Sequence, residues 1–335
     1  MAPTLSTAPF RWPDGERLVV FGRGCLADAP ELLGAAGYQL LTTPRAATAA
    51  PEVVAGAARV HEAPPGRVDE IAAALRPDVQ GELLVALGGG RVIDVAKALA
   101  AADPPRRVAA IPTTLSGAEM TAVHRHAAGV PGDTAHVRPA IVISDPELSA
   151  SQPLAELAAS AGNALGHAAE GPLTPSANPV AALAALEAAS LIATALQPDP
   201  ERPDRDALAL GALLAGYVIG STGYGLHHIL SQTLVRFAGV GHGPANTIML
   251  PHTLEALARR APAAIGRLGT ALGTDPSQFA AKLARLAGVE RLRDVGVSPE
   301  QLETCATEAA NRPELALTPP PAQREELREL YQAAW

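Results

Sequence analysis

The 335-residue sequence predicts a Rossmann-like α/β domain over residues 1–150 followed by an all-α domain over residues 151–335. Three observations lead there. Short apolar runs alternate with helical patterns through the first half, one buried run ends in three consecutive glycines, and strand signals stop near residue 151. Alternating strands and helices imply a mainly parallel sheet, with ligands at the carboxyl ends of its strands. The length also exceeds that of one ordinary core.

Taken in order, residues 17–21 (RLVVF) read as a strand closed by Gly22 and Gly24, and 26–36 as a helix. Residues 38–44 (YQLLTTP) read as a second strand stopped by Pro44, followed by a weak helix over 50–60 and a stronger one over 66–76. GELLVALGGG (81–90) is a buried strand entering the glycines, and 91–101 is a helix with an apolar stripe. Two further strands are expected at 107–114 and 138–146. Helices follow at 154–170, 180–196, 206–220, 225–237, 244–258, 262–272, 276–287 and 323–333, broken at Asn178-Pro179 and over 197–204. This helical domain is expected to pack beside the first with a cleft between them.

The formal charge is −8 without a run of Lys or Arg, which argues against a nucleic acid or an anionic membrane as partner. Cys25 and Cys305, far apart, suggest a reducing compartment rather than a disulfide framework. The first 18 residues lack a signal-peptide pattern, and no breaker-free apolar stretch reads as long enough to span a bilayer. A soluble, cytoplasmic, enzyme-sized protein is the expectation.

The chemistry starts at Gly88, Gly89 and Gly90. Backbone without Cβ allows close approach, and the following helix N-terminus offers N–H groups to phosphate oxygens. The next strand ends in IPTTLSGAEMT, so Thr113, Thr114, Ser116 and Thr121 bring hydroxyls to the same sheet edge. A pyrophosphate and ribose site follows from the two loops together. Asp94 and Lys97 lie one turn apart and could simply pair there; Asp94, nearer the glycines, is the better candidate for that site. At the end of the second strand stand Thr42, Thr43, Pro44 and Arg45. No carboxylate is present there to repel a 2′-phosphate, and Arg45 could pair with one, so NADP is expected to bind at least as well as NAD.

In the second half, SAGNALGHAAEG (160–171) places Asn163, His167 and Glu170 on one face of an alanine-rich helix. Buried polar groups of this kind need partners. GLHHILSQ supplies His227 and His228, and GVGHGPAN supplies His242 before another helix, with Pro244 suited to its first turn. His167, His228 and His242 could meet and are a donor set for a transition metal. His252 reads as structural; His61, His124, His126 and His136 lie in loops or surface helices and receive no role.

GGGRVIDVAK, IPTTLSGAEMT, SDPEL, NALGHAAEG, GLHHIL and GHGPANTIMLPH together resemble, in order and spacing, the iron-containing alcohol dehydrogenase superfamily over nearly the whole chain. The resemblance implies the fold shared with dehydroquinate synthase, a nicotinamide cofactor, a cleft site and a homodimer. Its alcohol dehydrogenases bind metal through an Asp, a His four residues on, and two His fourteen apart. His167, His228 and His242 match the three histidines, but Asn163 stands at the Asp position. An amide lacks the anionic charge that offsets a divalent ion. NALGHAAE, with LVVFG, TTPR, SGAEMT and the AAW ending, resembles the maleylacetate reductase branch, whose members reduce an activated C=C bond of a dicarboxylate with NADH or NADPH.

The resemblance therefore implies a reductase in which iron or zinc is not favoured, although His167, His228 and His242 would hold such a metal. His167, His228, His242 and Asn163 are the expected catalytic groups. His242 is the first choice of acid, with Glu170 acting through His167 as an alternative source of the proton. Two departures stand out: residues 122–136 lack the Lys residues common in relatives, and Gln232 replaces a frequent His. Arg125 and Arg236 are the candidate partners of a dianion. Two alternatives are a tailoring dehydrogenase acting on a larger pathway intermediate and a catalytically impaired cofactor-binding protein.

Overall fold

The computed structural model describes residues 7–34, 37–149, 152–196 and 199–335. The chain divides into two compact units, one ending at Gln152 and one beginning at Pro153. The division expected after residue 150 falls on residues 150 and 151, outside the described residues. The ends of the helices expected at 26–36 and the start of the break at 197–204 likewise touch residues 35, 36, 197 and 198, which are not described.

The N-terminal unit holds a seven-stranded sheet in the order β1-β2-β7-β6-β5-β3-β4. Its strands are β1 (Phe10–Asp14), β2 (Arg17–Phe21), β3 (Tyr38–Thr42), β4 (Ala57–Glu62), β5 (Leu83–Gly88), β6 (Arg107–Pro112) and β7 (Ile141–Ser144). Only the β1–β2 hairpin is antiparallel, turned at Gly15 with φ 64°. Helices α1 (Ala29–Leu33), α2 (Pro44–Ala49), α3 (Pro51–Ala55), α4 (Val68–Leu75), α5 (Gly90–Ala102) and α6 (Pro146–Ser149) complete the unit. From β3 the chain moves outward to β4, whereas from β5 it moves the other way to β6. The carboxyl ends of β3 and β5 are therefore a topological switch point, where open α/β sheets bind ligands.

Two elements correct the sequence reading. The weak helix over 50–60 is instead α3, Gly56 and the edge strand β4, because pairing with β3 overrides the helical preference of Ala57 and Ala58. β1 carries Pro13 and alternates exposed Arg11 with partly buried rings, a pattern tolerated only at a sheet edge.

The second unit is helical among the described residues: α7 (Leu154–Glu170), α8 (Pro179–Leu196), α9 (Arg205–Thr222), α10 (Leu226–Thr233), α11 (His242–Arg260), α12 (Pro262–Leu272), α13 (Pro276–Ala287), α14 (Pro299–Ala310) and α15 (Arg324–Ala334). α14 was not anticipated, yet Ser298 and Gln301 form a reciprocal capping box with Pro299 at the first helical position. α10 continues as a π-helical turn over Leu234–Ala238. α8 also corrects an expectation: its 18 residues average a hydropathy of 1.8, enough by length and composition to cross a bilayer. Half of that helix is buried, and it packs on α9, α12 and α7. α7 is buried from Ala161 to Glu170, so Asn163, His167 and Glu170 are enclosed by neighbouring helices.

Candidate functional site

In the N-terminal unit the two predicted loops lie side by side. Gly88 pairs with Pro112 in register, and the Thr113 N–H donates to the Gly88 carbonyl at 3.0 Å. A Cβ on Gly88 would stand 2.6 Å from Val92 Cγ2, one on Gly89 2.9 Å from Thr114 Cγ2, and one on Gly90 3.0 Å from Ser116 Cβ. The glycines are thus needed to pack both loops against the first turn of α5, which has no side-chain cap on its N–H groups. Gly88, Gly89, Gly90, Thr113, Thr114 and Ser116 share one strand-end region.

Thr43 and Arg45 sit at the neighbouring strand end, since Thr42 pairs with Leu87. Thr43 caps α2 by accepting from the Ala46 N–H at 3.3 Å, and Arg45 is exposed in that helix's first turn.

Asp94 and Thr121 belong to a different task. Lys97 is fully buried, and its Nζ lies 2.7 Å from Asp94 Oδ1. It donates to the carbonyls of Ala118 at 3.0 Å, Thr121 at 3.3 Å and Val123 at 2.7 Å, and reaches Thr121 Oγ1 at 3.4 Å. Asp94 thus makes the pair with Lys97 that their one-turn spacing allowed, and neutralises a buried ammonium. The same ammonium draws Thr121 into the anchor of the segment after β6. Glu119 nearby is buried, and burial pushes its carboxyl up to about 7.

In the helical unit, α7 and α10 bring Asn163, His167, Glu170, His227 and His228 together. Gly166 permits the approach: a Cβ there would lie 2.6 Å from His227 Cδ2. α10 starts at Leu226, whose N–H donates to Thr318 Oγ1 at 2.8 Å. Glu170, 1% exposed, accepts from the His227 N–H at 3.0 Å through Oε2 and meets His228 Nδ1 at 2.5 Å through Oε1. His228 Nε2 lies 3.4 Å from Asn163 Oδ1. The carboxyl expected to pair with His167 instead contacts His228, because α10 lays that ring across the end of α7. His167 stacks on His228, with centroids 4.6 Å apart and planes at 23°.

His227 has a structural role. Its Nδ1 lies 3.0 Å from Thr253 Oγ1, whose hydroxyl contacts the Met249 and Leu250 carbonyls. His242 is exposed as the first residue of α11, and its charge acts on His167, His227 and His228. Pro244 does lie in the first turn of α11.

Electrostatically the cluster is a neutral-imidazole site. Burial pushes the imidazoles of His227 and His228 down to about 3 and that of His167 well below the ordinary range. Burial pushes the Glu170 carboxyl up to about 7, opposed by the neighbouring His227 and by backbone N–H groups. The pair can thus hold its proton on the carboxyl, with His228 Nδ1 accepting and Nε2–H facing Asn163. Alternatively the proton is lost, leaving a carboxylate that accepts from Nδ1–H.

Of the two arginines proposed for a dianion, Arg125 lies 3.8 Å from Asp69 in the N-terminal unit, and Arg236 is exposed on the π turn of the helical unit. Arg312, which the sequence reading did not name, lies beside the helical cluster, paired with Glu314. It donates to Glu314 at 2.9 Å, to Gln232 Oε1 at 3.1 Å and to Tyr224 Oη at 3.2 Å, and the Tyr224 ring lies 6.2 Å from that of His228. Gln232, noted as a departure, is the residue that receives it. No local motif marks Arg312, since the contact joins α10 to residues 80 positions later.

Two family models cover the chain: "Iron-containing alcohol dehydrogenase" over residues 17–161 and "Fe-containing alcohol dehydrogenase family, C-terminal" over residues 157–335. The chain is 36% identical to maleylacetate reductase 1 of Rhodococcus opacus over 81% of its own length and 78% of the relative's. It is 32% identical to maleylacetate reductase of Burkholderia cepacia over 95% of both chains. Among solved structures, maleylacetate reductase of Agrobacterium tumefaciens superposes with a TM-score of 0.81 at 28% identity, over 100% of this chain and 99% of that one. An iron-containing alcohol dehydrogenase of Corynebacterium glutamicum gives a TM-score of 0.82 at 28% identity, over 99% and 97%.

Proposed function

The chain belongs to the iron-containing alcohol dehydrogenase family and is an NAD(P)-dependent oxidoreductase resembling the maleylacetate reductases, and from that premise we propose that it reduces the C=C bond of a maleylacetate-like enone dicarboxylate. The observation that carries this reading is the buried chain Glu170–His228–Asn163, which can hold and release one proton without a metal. Neither alternative, tailoring dehydrogenase or impaired binding protein, has support among the relatives.

The residues present fit a dinucleotide. The glycine cradle would be filled by any Cβ, and the uncapped N–H groups at the start of α5 suit a pyrophosphate, with Thr113, Thr114 and Ser116 beside them. Thr43 and Arg45 would meet the adenosine ribose and its 2′-phosphate. Bound there, the reduced nicotinamide supplies a hydride.

The helical cluster does not fit the family's metal. An imidazole ligates through a lone pair in its ring plane. As the rings stand, His167 and His228 are stacked 4.6 Å apart with planes at 23°, so an ion bound in the plane of one lies out of the plane of the other, and Asn163 adds no negative charge. No step is therefore routed through a metal.

Hydride addition to the alkene carbon remote from the ketone leaves an enolate, which needs a proton at its α-carbon. His228 Nε2–H supplies that proton while the Glu170 carboxyl passes its own to Nδ1. The resulting Glu170 carboxylate is held by the His227 N–H at 3.0 Å and by Nδ1–H. Asn163 orients the ring. Following reduced-nicotinamide absorbance with maleylacetate and with a panel of hydroxy and keto compounds tests this. Turnover of the panel without maleylacetate would assign the protein to carbonyl chemistry.

A further inference from the structure

The segment between β6 and β7 gathers three histidines that the helical cluster does not use. His124 and His126 lie on its outward run and His136 on its return. Their ring centroids are 4.5 Å apart for His126 and His136, 4.7 Å for His124 and His136, and 5.3 Å for His124 and His126. One donor nitrogen from each lies within 4.8 Å of the other two. The segment is held in place from outside. Lys97 grips the Val123 carbonyl at 2.7 Å, the Ala128 N–H donates to the Asp69 carbonyl at 3.0 Å, and Ala127 is buried against α4 and α5. Both ring nitrogens of His126 are buried and have no hydrogen-bond partner.

We propose that His124, His126 and His136 form a site for a borderline-soft divalent cation, zinc above all, that staples the β6–β7 segment of the N-terminal unit. The donor chemistry selects the ion: three imidazoles without carboxylate suit zinc and its neighbours rather than magnesium or calcium. Tetrahedral ligands about 2.0–2.1 Å from zinc stand about 3.4 Å apart, so the rings need only draw in by side-chain rotation. His136 is exposed and has room to swing.

His124 is already in the tautomer of a ligand. Its Nδ1–H donates to the Arg125 carbonyl at 3.0 Å, and its Nε2 lone pair accepts from the Val137 N–H at 3.1 Å. Zinc would take that lone pair in place of the Val137 N–H, which is partly exposed and turns to solvent, while the Nδ1 bond stays, as ligating imidazoles are usually oriented. Nearby cations are offset, since Lys97 lies 2.7 Å from Asp94 and Arg125 3.8 Å from Asp69. Solvent fills the fourth position on the exposed side. This site is independent of the reading of the helical cluster.

The test is a Co²⁺ titration of chelator-stripped protein, read by the visible absorption of tetrahedral cobalt, in wild type, His126→Ala, His136→Gln and His228→Ala. We expect the band in wild type and His228→Ala, an affinity about 10- to 100-fold lower in His126→Ala and His136→Gln, and displacement of cobalt by Zn²⁺. Zn²⁺ should also raise Tm by roughly 5 °C in wild type and not in His136→Gln. His136 is exposed, so its variant decides the matter even if His126→Ala fails to fold. Absence of the band in wild type, or a band and Tm rise unchanged by His136→Gln, overturns the proposal.

Discussion

Replacing Glu170 by Gln removes one proton from the helical cluster while keeping its hydrogen bonds. The carboxamide oxygen can accept from the His227 N–H at 3.0 Å, and its NH₂ can donate to His228 Nδ1, now 2.5 Å from Oε1. The variant therefore copies the protonated state but cannot recharge the imidazole. General acid catalysis contributes about 10²- to 10⁴-fold, so kcat should fall at least about 10²-fold, with the KM for the reduced nicotinamide unchanged. Stability should move the other way. Burial raises the carboxyl from 4.5 in the unfolded chain to about 7 in the fold. The unfolded chain thus releases this proton first, and folding stability declines as pH rises from 4.5 through about 7, by roughly 3 kcal/mol in all. Glu170→Gln abolishes that decline, so the variant should be more stable than wild type above pH 7 and not below pH 4.5. Wild-type kcat/KM should fall as pH rises through about 7, a limb that the variant lacks. Steady-state kinetics against pH, paired with urea denaturation, measure both effects. Wild-type kinetics in the folded variant, or an unaltered pH limb, would refute the relay.

Other substitutions probe the remaining parts. Lys97→Met strands Asp94 and leaves carbonyls of residues 118–123 without their donor, and should cost about 3–5 kcal/mol in denaturant titration; a loss under about 1 kcal/mol would contradict the anchoring role. Gly166→Ala drives a methyl to within 2.6 Å of His227 Cδ2 and should destabilise by about 1–3 kcal/mol while lowering kcat; unchanged kinetics would show that the ring positions are not critical. Arg45→Ala should raise the KM for NADPH about 3- to 10-fold and leave that for NADH alone; equal effects on both would remove Arg45 from cofactor selection.

Much of the architecture was legible because strand and helix signals in this chain are strong and locally punctuated. The triple glycine, the flanking hydroxyls and the helical spacing of Asn163, His167 and Glu170 all lie within short windows. What the sequence did not disclose depends on distant residues. Which histidine meets Glu170 is set by the approach of α10 at Gly166, and the carbonyls that receive the Lys97 ammonium lie more than 20 residues away. Arg312 reaches Gln232 across 80 residues, and His136 reaches His126 through a loop fixed by α4 and α5. β4 was misread for the same reason, since edge pairing rather than local propensity makes it a strand.

The most direct measurement is the position of the label after the purified protein reduces maleylacetate with NADPH or NADH deuterated at both C4 positions. We predict deuterium on a newly saturated carbon, loss of the C=C bond and retention of the ketone. Deuterium on a carbinol carbon with the C=C bond intact, or no transfer of deuterium at all, would contradict the assignment.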